Sequence, residues 1–295
     1  MYGAAAYGLW GLFPLYWPLL EPAGAVEILA HRVLWSAITI SLVVTAMRRW
    51  TDVRAVWRHR RSRLLLCAAA VVISINWSVY IYGVNSGRVV ETSLGYFVNP
   101  LVTVLMGVVV LSEQLRRLQW AALGLAAGAV VVLALDYGRP PWIALALAFS
   151  FGTYGLLKKQ AGVDALESLT LETVVLAPVA AGYLVWLGLR GDSSFLAQGA
   201  GHATLFTTTG IVTVIPLLLF GAAAIRLPLV TIGLLQYLAP VIQFLLGVLW
   251  YHESMPAPRW IGFTLVWIAL VLFTVEAVQH RRRHLRLLAE TAVPV

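Results

Sequence analysis

The chain has 295 residues, 60% of them hydrophobic and only 12% charged, and a formal net charge of +8. Its 13 carboxylates are too few to help solvate a soluble domain of this length, so the bilayer is the solvent this composition calls for. The single cysteine, Cys67, excludes an internal disulfide and suggests no thiolate metal site.

Apolar runs of roughly 17–25 residues bounded by turns or charges predict transmembrane helices. They fall at 3–20, 25–47, 64–85, 92–111, 119–135, 142–157, 168–189, 203–224, 229–250 and 259–279, predicting an all-α membrane protein of ten helices. The first run lacks a basic leader, so it reads as a span and not as a cleavable signal.

In lipid, polar side chains and broken backbone are tolerated only against protein or water, so they mark a cavity. The first span puts Tyr7, Trp10, Phe13, Pro14 and Trp17 largely on one face. The second carries Glu27 and His31 four apart on one face, and Arg32, which needs a partner or a polar cavity. A loop follows with seven arginines between Arg48 and Arg63.

The third span places Asn76 and Tyr80 four apart, with Trp77 beside them. The fourth and ninth contain Pro100 and Pro240 near their middles, where proline frees the carbonyl four residues earlier, on Tyr96 and Gln236. Each proline thus joins a polar patch, Tyr96 and Asn99 in one case and Gln236, Tyr237 and Gln243 in the other, and both prolines are candidate hinges. Glu27, His31 and Glu172 are candidates for carrying a coupling proton, with ion pairing as the plain alternative. Glu113 and Glu253 follow their spans near the membrane surface and read as structural.

Sixteen of the 21 basic residues fall on one side of this ten-span alternation, which by the positive-inside rule places both termini in the cytoplasm. The chain also resembles itself at a spacing of 140, pairing Leu94 with Leu234, Pro100 with Pro240, Gly107 with Gly247, Glu113 with Glu253 and Trp120 with Trp260. Two five-helix repeats result, 1–137 and 138–280, followed by a basic cytoplasmic tail at 281–295. Because five is odd, the second repeat is inserted upside down relative to the first, the architecture of secondary transporters with a site between the halves.

No P-loop or HExxH motif occurs, and all four aspartates fall in predicted loops, so ATP hydrolysis is excluded and intramembrane aspartyl or Asp-rich prenyl-transfer chemistry is disfavoured. No cofactor or metal is called for. Two alternatives to transport stand: a membrane-embedded enzyme or lipid-modifying protein using the same cavity, and a non-transporting scaffold.

The stretch Ile75-Asn76-Trp77 … Tyr80-Ile81 … Asn85 … Gly87 … Glu91 … Ser93-Leu94-Gly95-Tyr96-Phe97-Val98-Asn99-Pro100 resembles the RarD subgroup of the EamA-type drug/metabolite transporter superfamily. So do Leu235-Gln236-Tyr237-Leu238-Ala239-Pro240, Tyr7-Gly8-Leu9-Trp10-Gly11-Leu12-Phe13-Pro14 and Glu27 … His31-Arg32. The resemblance covers essentially the whole chain and implies a multi-pass permease of the bacterial inner membrane, with a cavity walled by helices 1–4 and 6–9. The expected activity is secondary active transport of a small metabolite or drug-like molecule by alternating access. Tyr7, Trp10, His31, Arg32, Asn76, Tyr80, Tyr96, Asn99, Gln236, Tyr237 and Gln243 are the expected cavity lining. The expected partners are a small-molecule substrate, protons and membrane lipid, not nucleic acid; monomer and homodimer are both open.

Overall fold

The computed structural model describes residues 1–111, 115–224 and 235–291, and Glu113 and Leu234 of the sequence reading lie outside them. The described residues form helices and turns, with no strand among them. The longer segments and the helix that follows residue 237 are labelled α1 (Tyr2–Gly11), α2 (Ala25–Ala46), α3 (Arg60–Asn85), α4 (Val89–Leu111), α5 (Arg117–Tyr137), α6 (Trp142–Ala161), α7 (Ala165–Leu189), α8 (Ala200–Ala224), α9 (Leu238–Leu245) and α10 (Ala257–Thr291), and shorter helical pieces lie at Phe13–Tyr16, Trp17–Leu20, Trp50–Arg58 and Leu246–Trp250. Seven of these, α2, α3, α4, α5, α7, α8 and α10, are long and apolar enough to cross a membrane. A helix satisfies its own backbone, which a segment surrounded by hydrocarbon must do. Leu42, Val109, Val131, Leu135 and Val179 point outward and exposed, an apolar exterior suited to lipid.

The first predicted span is not one rod. After α1 it continues as a short helix, Phe13–Tyr16, and a 3-10 turn, Trp17–Leu20. Pro14 and Pro18 each sit in the first turn of a new piece, where a missing N–H breaks no intrahelical bond. The other end of the ladder is handled by glycine: Gly138 and Gly162, at φ +63° and +61°, stop α5 and α6 in the left-handed conformation.

Four expectations are corrected. The basic loop after α2 contains a helix, Trp50–Arg58, whose polar side chains lie on the surface while Val53 is buried. Asp52 is in that helix and Asp136 is in the last turn of α5, so not all aspartates are in loops. The sixth segment runs on to Ala161, with Lys158 and Lys159 in its last turn, where cations complement the helix dipole. Pro240 lies in the first turn of α9 after a turn at Gln236 and Tyr237, not in mid-helix like Pro100, and α9 closes in a wide π-turn, Leu246–Trp250.

Packing is extensive between α5 and α10, between α2 and α7, and between α2 and α8. Helix α6 lies against α3 and α4, and α1 against α8 and α9. At both ends of the α5–α10 contact an arginine of one helix start meets an acid near the other's end: Arg116 Nη1 to Glu276 Oε1 at 2.5 Å, and Arg259 Nη2 to Asp136 Oδ2 at 3.0 Å. The two helices therefore run antiparallel. One core cluster joins α4, α5, α9 and α10 around Leu94, Phe97, Leu133, Phe244 and Phe263. A second joins the first segment to α2, α3, α6 and α8 around Phe13, Trp17, Tyr80, Ile143 and Phe206.

The closest backbone approach is at Gly210, where a Cβ would collide with the Trp35 carbonyl of α2. Gly8, also helical, has nothing within 4 Å of that position. Gly210→Ala is therefore expected to destabilise the protein by about 1–3 kcal/mol through overpacking, and Gly8→Ala to leave it unchanged or slightly stabler. Apparent Tm of the two variants in detergent checks this.

Candidate functional site

Arg32 is the organising residue. It projects from α2 into the second core cluster and is 3% exposed. Its Nε donates to Thr213 Oγ1 of α8 at 2.9 Å. The guanidinium carbon lies 3.9 Å from the ring centre of Trp77, 4.9 Å from Trp17 and 5.7 Å from Phe13. Tyr16, Tyr80 and Tyr96 are its polar neighbours, and no carboxylate pairs with it among the described residues. A desolvated cation–π contact contributes about 2 kcal/mol, whereas removing an ion from water costs several kcal/mol. The aromatic box offsets part of the burial and supplies no opposite charge.

Around this box the polar side chains of α3 and α4 are tied together. Asn76 Nδ2 donates to Leu147 O at 3.0 Å and to Ser150 Oγ at 2.9 Å on α6, and Tyr96 OH donates to Asn76 Oδ1 at 3.3 Å. Tyr80 meets Tyr96 edge to face at 5.6 Å, and its buried hydroxyl has no partner. Aromatic contact then continues from Tyr96 to Phe151 at 6.1 Å and from Phe151 to Tyr154 at 6.0 Å.

The other expected site residues divide. Tyr7 and Trp10 pack on each other at 5.2 Å and on Phe220 of α8, forming an aromatic group of their own. Gln243 Nε2 donates to Trp10 O at 3.1 Å, tying α9 to α1. Asn99 is tied within its own helix: Thr103 Oγ1 donates to its backbone carbonyl at 2.9 Å and lies 3.5 Å from its side-chain Oδ1. Tyr237 packs on the cluster of α4, α5, α9 and α10, with Thr274 of α10 and the adjacent Gln236 beside its hydroxyl. His31 stacks on Phe195 at 4.8 Å and tilts against Phe206 at 4.4 Å, with both ring nitrogens unpartnered.

The carboxylates named for proton coupling have partners. Glu172 accepts from Lys158 Nζ at 2.8 Å, Ser168 Oγ at 2.7 Å and Tyr154 OH at 3.0 Å, and Lys158 also touches Ser168. Glu27 accepts from Ser194 N at 2.7 Å and Ser193 Oγ at 3.2 Å. Sequence reasoning missed Thr213, Tyr16 and Phe220, because nothing in one helix states the register of its neighbour. It also missed Glu91, buried in the first turn of α4, which pairs with Arg139 at 2.8 Å and accepts from Ile143 N at 3.2 Å at the start of α6.

The segments at residues 14–20, 85–90 and 250–257, which follow α1, open α4 and follow α9, are joined across the chain. Tyr251 OH donates to Pro14 O at 2.6 Å, Tyr16 OH to Leu205 O at 2.7 Å, and Glu253 accepts from the Val89 and Val90 N–H groups that open α4. Glu253 thus serves as the missing cap for a helix in another part of the sequence.

The model of the EamA-like transporter family matches residues 1–135. Along its whole length the chain is 58% identical to "Protein RarD" of Streptomyces exfoliatus, of which it covers 93%. The chain belongs to the RarD group of the EamA family. It is also 44% identical to "Uncharacterized transporter YojE" of Bacillus subtilis, the match covering 96% of this chain and 95% of that one. A crystal structure at 18% identity superposes with a TM-score of 0.60, covering 94% of this chain and 96% of that one, and shares the fold. These relationships and the apolar helices make the EamA chain a multi-pass membrane protein whose relatives are named as transporters.

Burial pushes the Glu253 carboxyl up from 4.5 to about 7, against the opposing effect of the Val90 and Val89 N–H groups and Arg259. Between those values the folded RarD-type chain retains a proton that the unfolded chain has released. The contribution of Glu253 to stability is therefore largest below about pH 4.5 and falls as pH rises through about 7. Glu253→Gln is expected to flatten the decline in apparent Tm between about pH 5 and pH 8; an unaltered pH profile in the variant would refute this assignment.

Proposed function

We propose that the chain is a secondary active transporter that moves a small metabolite or drug-like molecule across the plasma membrane by alternating access. Its ten helices form two inverted halves, 1–137 and 138–280, with both termini and the basic tail at 281–295 cytoplasmic. The observation that carries this reading is the exchange symmetry of the contacts. Swapping the first five helices for the second five maps α1 on α8 and α9 into α6 on α3 and α4, and maps α2–α7 and α5–α10 onto themselves. The ion pairs obey the same exchange: Asp136 and Glu276, 140 residues apart, each meet an arginine at the start of the other helix.

The substrate site of this reading lies at Arg32, held between α1, α2 and α3 of one half and α8 of the other. Asn76, Tyr80 and Tyr96 complete its wall, while Tyr7, Trp10 and Gln243 line the approach between α1, α8 and α9. The bonds made by Tyr251, Tyr16 and Glu253 close the extracellular end in this state. Pro100, in mid-helix, remains the hinge candidate of α4; the turn at Gln236 and Tyr237 supplies the break in α9, with Pro240 fixing the helix start beyond it. Glu172, paired with Lys158 at the cytoplasmic end, is the proton-coupling candidate with the strongest link to the aromatic path, through Tyr154.

Uptake into proteoliposomes under an imposed pH gradient tests the reading. Arg32→Ala is expected to lower substrate-dependent flux by at least about tenfold, since it removes a charged hydrogen-bonding group. Asn99→Ala should lower it less, because the Asn99 side-chain amide faces Thr103 of its own helix, at 3.5 Å. Unchanged flux in Arg32→Ala removes the site. Topology is tested separately with Arg60→Cys and Leu285→Cys in a Cys67→Ser background: both are expected to react with an impermeant thiol reagent only from the cytoplasmic side.

A further inference from the structure

Among the described residues each buried acid has a partner. Glu91 has Arg139, Glu167 has Arg49, Glu172 has Lys158, Glu276 has Arg116, and Glu27 has the Ser194 amide. Arg32 is the exception among the described residues: a buried cation that meets three aromatic faces and one hydroxyl and no acid. With Nε committed to Thr213, the guanidinium retains its terminal N–H groups, a planar fork matched to an oxyanion. The Tyr80 hydroxyl, buried and unpartnered in the same cluster, offers a further donor.

We propose that the Arg32 site binds a small organic oxyanion, a carboxylate or a phosphate monoester on a flat apolar body, with its charged group on Arg32 and Tyr80 and its body against Trp77, Trp17 and Phe13. The anion supplies the charge that the aromatic box lacks. A neutral amide satisfies the donors but not the charge, and an amine adds a second cation beside the first, so affinity falls in the order anion, amide, amine. The inference names the cargo class of the proposed transporter and rests on that reading only for the step of translocation, not for binding.

The full chain in phosphatidylcholine nanodiscs, free of anionic headgroups, is titrated with phenylacetate, phenyl phosphate, phenylacetamide and phenethylamine. Tryptophan fluorescence, to which Trp77 and Trp17 contribute from the site itself, is read alongside calorimetry. At least one of the two anions is expected to bind at least about tenfold more tightly than the amide, as a charge-assisted hydrogen bond implies. Arg32→Gln should abolish that preference. Tyr80→Phe, which keeps the ring and the fold, should weaken the anion about three- to tenfold and leave the amide unchanged.

Binding indifferent to charge, absence of binding by both anions, or a preference that survives Arg32→Gln overturns the proposal. Selective anion binding without flux in sealed vesicles refutes the carrier and leaves the anion site standing. Flux of a neutral solute by a protein that binds neither anion refutes the anion site and leaves the carrier.

Discussion

Hydrocarbon offers no water to a polar group, and that constraint organises this molecule. Each backbone N–H and C=O must be bonded within its helix, or captured where the helix ends. Each buried charge must find an opposite charge, a dipole or a ring. The protein meets the first demand with helices and with borrowed caps: Glu91 serves the start of α6, and Glu253 the start of α4. Among the described residues it meets the second with ion pairs on each buried acid that lacks a backbone donor, and departs from charge pairing at Arg32, a buried cation met by rings and a hydroxyl alone.

That departure is costly for stability alone. A leucine or methionine in place of Arg32 would pack against Trp77, Trp17 and Phe13 without a desolvation cost, since buried ions are seldom the most stabilising choice. Other buried polar groups of the same region lack partners too, including the Tyr80 hydroxyl and both His31 nitrogens. The apolar cluster around Phe97, Phe244 and Phe263 shows that the fold can pack without such groups. The unsatisfied groups gather where helices of the two proposed halves meet.

Much of this was legible in the sequence because the relevant signals are local. Apolar run lengths located the seven long apolar helices, and the residues around Asn76, Asn99-Pro100 and Gln236-Tyr237 carried the RarD resemblance. Arg32 stood out as a charge in an apolar span. What stayed hidden depends on register between distant helices. Thr213 is one hydroxyl among many in α8, and only packing selects it as the partner of Arg32. Asn76 and Arg32 share a region because α3 and α2 face one another there, whereas Tyr237, in a patch of similar composition, turns toward α10. Pro240 misled for a different reason. A proline in the middle of an apolar run and a proline opening a helix look alike in sequence, and differ only in whether the preceding residues remain helical.

The capture of the Val89 and Val90 amides by Glu253 has one more consequence. On the receiving side the contact is made by main-chain atoms, which every residue except proline carries. Drift among Val, Ile, Thr or Ala at those two positions leaves the donors in place, so the clasp tolerates variation on one jaw and depends wholly on the acid in the other.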